Sequence, residues 1–368
     1  MVTVSIDNIE ISFEGKKTIL EVALQNGIYI PHLCFHPGLN SPKSLRSDGV
    51  VYRGEEEIRG VADIEYEGCH LCLVEIKGKK EFVHACSTLA EEGMVIYTNT
   101  SPIRQRRKDY LEEMLKTHPH VCMTCDLSEG CDRKICSMNV PEEARCCWKF
   151  GNCEFQSIAL FVGFGESIPY SYKDTIVVDD NPLFLRDYNL CVGCLRCVVA
   201  CREVAGGNAI GFVVQEGNVI VGTVAPTLKE SGCRFCLACV EVCPTGALKD
   251  KKPGKNKSKI RKGIQPAVFP PTSNKDLLLL SEENLKLVPE TEGVYRLWEG
   301  KENLYQITGT DNLRNSLLRE LKEREGSVYL FDYEEDMMFT SRERQLIQQY
   351  LKKNGKLPPG NDEDDDLF

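Results

Sequence analysis

The nineteen cysteines of this 368-residue chain constrain its fold more than any other feature, because all of them lie between Cys34 and Cys243 and most fall into regular runs. Cys191-x2-Cys194-x2-Cys197-x3-Cys201 is followed by the same run again, Cys233-x2-Cys236-x2-Cys239-x3-Cys243, and then Pro244. Three thiols two residues apart with a more distant fourth suit the corners of an iron–sulfur cube. Zinc sites take Cys-x2-Cys ligands two by two, which fits these runs poorly and leaves zinc as the minor alternative. Disulfide frameworks belong to oxidising compartments.

In two-cluster proteins with this run, the fourth cysteine of each run ligates the other run's cluster. Cys191, Cys194, Cys197 and Cys243 are therefore expected to hold one [4Fe-4S] cluster, and Cys233, Cys236, Cys239 and Cys201 a second. Crossing the fourth ligand ties the two halves together.

A mean hydropathy of -0.27, with 42% hydrophobic and 27% charged residues, describes a water-compatible chain of two to three domains. No apolar run approaches the roughly 18 residues of a membrane span, and Met1 to Glu10 lacks signal-peptide character. A cytoplasmic location is expected, where reducing conditions keep thiols free for metal. The net charge of -10 gives no reason to expect nucleic-acid binding.

Near the N-terminus, Val2, Val4 and Ile6 alternate, as do Ile9, Ile11 and Phe13, with Asp7-Asn8 between them as a hairpin turn. Thr18 and Glu21 form a capping box for a helix that stops at Gly27. Cys34, Cys69, Cys72 and Cys86 follow in a hairpin–helix–loop setting, which predicts a [2Fe-2S] cluster on a β-grasp scaffold.

The wording around these cysteines carries a resemblance. The block Cys69-His70-Leu71-Cys72-Leu73-Val74-Glu75, then Cys86-Ser87-Thr88 and Glu92-Gly93-Met94-Val95, and the cysteine sets together resemble the N-terminal region of the large iron–sulfur subunit of NADH:quinone oxidoreductase. Diaphorase-type subunits of NAD(P)-linked [NiFe] hydrogenases, multimeric [FeFe] hydrogenases and NAD-dependent formate dehydrogenases are similar over the same stretch, Met1 to about Lys252. One departure is an insertion at residues 41–66, whose Gly49, Gly54, Gly60 and charges predict a surface loop.

A helix from Ser101-Pro102, with Ser101 as cap, runs through Leu115 and delivers His118. His118-x3-Cys122-x2-Cys125 matches the family's His/Cys3 motif, so the resemblance implies a third [4Fe-4S] cluster; His120 is a neighbouring decoy. Spacing nominates Cys131 as the fourth ligand, whereas the family's local wording recurs at Gly151-Asn152-Cys153-Glu154-Phe155-Gln156 and favours Cys153. With Cys153 chosen, Asp126 to Gly151 is an insertion carrying Cys131, Cys136, Cys146 and Cys147, an additional site for a fourth [4Fe-4S] cluster or one zinc. Neighbouring side chains diverge, so Cys146 or Cys147 can stand aside while Cys131 or Cys153 changes set.

Residues 251–272 are basic and proline-containing, which reads as a mobile linker. Residues 273–368 hold no cysteine and alternate strand and helix patterns: Gly293 to Leu297, Leu304 to Ile307, a helix from Asn312, Val328 to Tyr333, and a helix ending at Gly355. This part resembles a degenerate GIY-YIG nuclease domain, with Gln306-Ile307-Thr308 in the second element and Ser316 where a catalytic arginine is expected. Glu343 matches the metal-binding glutamate, yet Thr340 and Glu343 also read as a capping box. The acidic tail, Asp362 to Asp366, reads as solvated and disordered.

The expected fold is thus α+β and multidomain: a β-grasp [2Fe-2S] ferredoxin domain (1–98), a helical His/Cys cluster segment (99–182), a two-[4Fe-4S] bacterial-ferredoxin domain (183–250), the linker, and a small α/β GIY-YIG-like domain. Gly163-Phe164-Gly165 lacks the rest of a dinucleotide-binding fingerprint, and no cysteine beyond Cys243 exists to hold an active-site cluster, so no catalytic site is expected. The resemblance implies an electron-transfer subunit between a flavin/NAD(P)-binding oxidoreductase subunit and a second redox subunit, such as [NiFe] hydrogenase or formate dehydrogenase, or soluble ferredoxin, in a complex that can bifurcate electrons. The alternative is a redox-sensing DNA-processing protein using the GIY-YIG-like domain.

Overall fold

Apolar alternation at the N-terminus forms strands β1 (Val2–Ile6) and β2 (Ile9–Phe13) in the computed structural model, with Asp7 and Asn8 both at positive φ in the turn. The structure describes residues 1–125, 127, 128, 131, 135–165, 168–253, 265–270, 277–300, 303–324, 329–336 and 339–361. Helix α1 (Ile19–Gln25) starts with the Thr18–Glu21 capping box and buries Ile19, Leu20, Val22 and Ala23. It packs against a sheet that later gains β5 (Leu73–Ile76), β6 (Val83–His84) and β7 (Val95–Tyr97), in the order β2-β1-β7-β5-β6, with β1 and β7 parallel.

The insertion at 41–66 is ordered, which corrects the expected surface loop. Strands β3 (Val50–Arg53) and β4 (Glu56–Arg59) form a hairpin that extends a sheet with β10 (Ile210–Gln215) and β11 (Asn218–Thr223), in the order β10-β11-β3-β4. Arg53 is buried, donates to the Val221 carbonyl at 3.1 Å and lies over the Tyr188 ring. A Cβ on Gly60 would come within 2.7 Å of Val213 and of the Val214 carbonyl, so only glycine lets the hairpin approach this closely.

Helix α2 (Ser101–Leu115) has Thr100, not Ser101, at its N-cap, and the Thr100 hydroxyl donates to Glu75 at 2.5 Å instead of capping the helix. It buries Ile103, Arg107, Leu111 and Leu115 and leads to His118. Helix α3 (Glu154–Val162) begins directly after Cys153. Strands β8 (Val177–Val178), β9 (Phe184–Asp187) and β12 (Leu248–Asp250) make a three-stranded sheet beside the cysteine repeat, whose helices are α4 (Arg196–Glu203) and α5 (Ala238–Glu241). These elements belong to one compact unit, residues 1–274. Among the described residues no helix is long and apolar enough to cross a membrane.

Residues 275–368 form a second unit. It contains β13 (Leu278–Leu279), α6 (Glu282–Leu285), β14 (Gly293–Glu299), β15 (Asn303–Thr310), α7 (Leu313–Glu323), β16 (Leu330–Glu335) and α8 (Phe339–Asn354). The sheet is antiparallel, in the order β13-β16-β14-β15. Helix α8 already begins at Phe339, so Thr340 lies inside it rather than at its cap. Ser316 is buried, bonded to the Thr310 hydroxyl at 2.7 Å and approached by Arg319 at 2.9 Å. Most of the basic linker and the acidic tail lie outside the described residues, but Lys251 pairs with Asp179.

Candidate metal centres

All nineteen cysteines are among the described residues, and none is in a disulfide. The first set sits where three connections of the N-terminal sheet meet: Cys34 in the loop after α1, Cys69 and Cys72 at the entry to β5, and Cys86 after β6. All four are buried. Cys34 is hydrogen-bonded to Cys69 and Cys86, and Cys72 to Cys86; those bonds hold Cys34 and Cys72 above the ordinary thiol range and pull Cys69 and Cys86 below it. Sulfurs this close fit a cluster ligand set. His70, at φ 58°, bends the chain between Cys69 and Cys72, stacks on Tyr110 and lies 3.0 Å from His84 Nε2.

The cysteine repeat encloses two cavities. Cys191, Cys194, Cys197 and Cys243 line one of about 620 Å³, and Cys201, Cys233, Cys236 and Cys239 line another of about 400 Å³. The fourth cysteine of each run thus stands at the other run's cavity. Phe184, Ile210 and Leu228 wall both. Each run wraps its cavity through a left-handed leucine at the same place, Leu195 (φ 59°) and Leu237 (φ 64°), a conformation that costs about 1–2 kcal/mol outside glycine. The Ala209 and Phe235 N–H groups donate to Cys201 and Cys233 sulfurs, each at 3.3 Å.

In the stretch from His118 to Cys153 the seven cysteines lie in two neighbouring places. Cys122, Cys125, Cys131 and Cys136 line one cavity of about 360 Å³, brought together by short turns such as Ser128 N–H to Cys125 carbonyl and Cys131 N–H to Ser128 carbonyl. Cys153 instead points its thiol at the Pro244 carbonyl, 3.5 Å away, and Cys147 lies against Gly246. Trp148 and Lys149 anchor this part by hydrogen bonds to the carbonyls of Gly246, Cys243 and Thr245. Cys146 diverges from Cys147: its thiol bonds the Cys122 thiol and lies 3.7 Å from the Pro119 carbonyl, and its N–H donates to Cys122 sulfur at 3.3 Å.

His118 is buried against Phe155, and burial pulls its imidazole down to about 3, so the ring is neutral. Nδ1 lies 3.0 Å from the Pro119 carbonyl and donates to it, leaving a lone pair on Nε2, which has no hydrogen-bond partner among the described residues. That orphaned nitrogen fits a metal ligand. His32 has the same unpartnered Nε2, packed between Tyr29 and Phe35. His120 bonds the His118 carbonyl through Nδ1.

Sequence reasoning missed the Glu154–Arg196 ion pair. Both residues are buried, and the guanidinium grips the carboxylate with two bonds of 2.7 Å. Each opens a helix and stands one or two residues after a cysteine, Cys153 or Cys194, so charge inside a cysteine motif was the available signal. One hydrophobic core packs Cys34, Cys69, Cys153 and Cys194 together with Leu33, Tyr66, Leu71, Phe155 and Leu195. It joins cysteines from three of the sets.

Residues 1–101 match the 2Fe-2S iron-sulfur cluster binding domain family, and residues 190–247 the 4Fe-4S dicluster domain family. The G 2 subunit of NADH-quinone oxidoreductase from Rhizobium meliloti (strain 1021) is 32% identical over 251 residues, covering 67% of this chain and 24% of that protein. The G subunit of NADH-quinone oxidoreductase from Escherichia coli (strain K12) is 27% identical over 253 residues, covering 68% and 23%. A crystal structure of NAD+-reducing [NiFe]-hydrogenase in the H2-reduced state aligns with a TM-score of 0.46 at 23% identity, over 70% of this chain and 90% of that one. The chain spans about a quarter of the length of the curated relatives it matches. Through its first two thirds this chain is a homologue of the N-terminal region of the NADH-quinone oxidoreductase G subunit, with a 2Fe-2S cluster-binding domain and a 4Fe-4S dicluster domain.

Proposed function

We propose that the chain is an iron–sulfur relay subunit, passing electrons between a flavin/NAD(P)H-handling subunit and a second redox partner in a cytoplasmic complex. The single observation that carries this reading is the shared apolar core in which Cys34, Cys69, Cys153 and Cys194 pack together. Such a core excludes water and holds the ligand sets as one rigid body. Bound clusters would supply electron acceptors at potentials anywhere from about -700 to +450 mV, set by cluster type, charge and hydrogen bonding.

The protein's own contributions follow from its residues. Cys34, Cys69, Cys72 and Cys86 hold the [2Fe-2S] cluster; the crossed sets of the repeat hold two [4Fe-4S] clusters; His118 and cysteines of the following stretch hold a third. Backbone donors to Cys201 and Cys233 spread charge off the sulfurs and favour reduction. Buried Arg196 places a compensated positive charge beside Cys194. The relatives' names support an NADH-linked partner; hydrogenase, formate dehydrogenase or ferredoxin as the other partner rests on the resemblance in the cysteine motifs. The second unit serves docking in this reading, since the place of the expected catalytic arginine is filled by buried, hydrogen-bonded Ser316.

Cys233→Ser tests the relay. In the assembled complex it should abolish electron delivery to the far partner while flavin reduction by NAD(P)H continues at its normal rate. Loss of flavin reduction in a correctly assembled complex would overturn the relay and put this chain in the flavin chemistry instead.

A further inference from the structure

We infer that Cys122, Cys125, Cys131 and Cys136 form a four-thiolate [4Fe-4S] site of their own, beyond the two matched domains, and that His118 takes its thiolate partners from Cys146, Cys147 and Cys153. Three observations carry the division. The first is the cavity itself: four cysteines ring about 360 Å³, close to the 400 Å³ ringed by Cys201, Cys233, Cys236 and Cys239 in the dicluster domain.

The second is the hydrogen bonding. Cys122 sulfur accepts the Cys146 N–H at 3.3 Å, the same arrangement seen at Cys201 and Cys233. The rest of the wall is Val121, Val140 and Phe150, with Ser128 and the Arg145 cation, whose Nε donates to the Val140 carbonyl at 2.8 Å. An apolar wall with one cation suits an anionic four-thiolate cluster. Each thiol gives its proton to solvent as it binds iron.

The third is what remains. Cys147 and Cys153 turn away from this cavity toward Gly246 and Pro244, and Cys146 stands between the two groups, its thiol bonded to the Cys122 thiol and 3.7 Å from the carbonyl of Pro119, the residue after His118. His118 Nε2 is buried and unpartnered, and its ring packs on Phe155, two residues after Cys153. The insertion thus adds a complete cluster site between His118 and its thiolates rather than contributing ligands piecemeal.

The inference does not depend on the relay reading, because it is tested on the isolated full chain. Anaerobically purified protein should contain about 18 iron and no stoichiometric zinc, against about 14 iron with about one zinc if the inserted cysteines hold zinc. Double variants test the partition. Cys125→Ser with Cys136→Ser should lose about 4 iron, since both serve one cluster, while Cys136→Ser with Cys147→Ser should lose about 8. The opposite pattern, about 8 and about 4, would restore the sequence-based grouping and overturn the inference. The [2Fe-2S] electron paramagnetic resonance signal reports that each variant has folded, and Cys131→Ser replaces any that has not. Full retention of iron in Cys131→Ser and in Cys136→Ser would equally overturn it.

Discussion

The stretches from His118 to Cys153 and from Cys191 to Cys243 each carry eight candidate ligands, yet under the inferred partition they distribute them in opposite ways. The later stretch is a repeat in which each run bends through a left-handed leucine into a helix, and the fourth cysteine crosses to the other cavity. In the earlier stretch short turns keep Cys122 to Cys136 together, and the chain then moves on to Pro244 with Cys147 and Cys153. Repetition with helices makes ligands interleave; insertion of a loop makes them segregate. The number of ligands in a stretch therefore says little about which of them share a metal.

The two stretches meet at the Glu154–Arg196 pair, and the largest expected effect comes from breaking it. Glu154→Ala leaves a buried, uncompensated guanidinium and should cost about 3–5 kcal/mol, read as a lowered midpoint in anaerobic urea denaturation. Glu154→Gln, which keeps an acceptor, should cost less. No loss in either variant would mean that the two stretches are not energetically coupled.

A smaller effect is expected at the second meeting point. A Cβ on Gly246 would overlap Cys147 sulfur and lie 3.0 Å from Trp148 Nε1. Gly246→Ala should therefore cost about 1–3 kcal/mol by crowding. It should also weaken the cluster held with His118 while sparing that of Cys122 to Cys136. Equal damage to both clusters would blur the segregation argued above.

Much of the fold was legible in the residues. The Asp7-Asn8 turn and the Thr18–Glu21 box are local devices, and local chemistry decides them. The strands and helices of residues 293–354 follow their apolar periodicity. The hairpin at Val50–Arg59 is local, Val50-Val51-Tyr52 pairing with Glu57-Ile58-Arg59 across Gly54-Glu55, and was passed over for its glycines and charges; only its place in the larger sheet, through Tyr52 and Thr223, is set far along the chain. The grouping we infer for Cys122 to Cys153 departs from the motif spacing for a related reason: His118-x3-Cys122-x2-Cys125 is local, whereas Cys147 and Cys153 are positioned by the carbonyls and glycine of residues 243–246.

The most direct test of the relay is a reductive titration of the anaerobic, cluster-replete chain, followed by electron paramagnetic resonance. At one electron per cluster, the four clusters of the relay should take up about four electrons per chain, and about five with the additional four-cysteine site, with reduced centres that broaden one another's signals through space. Uptake of about one electron or fewer, or signals that stay magnetically isolated at full reduction, would contradict a continuous relay.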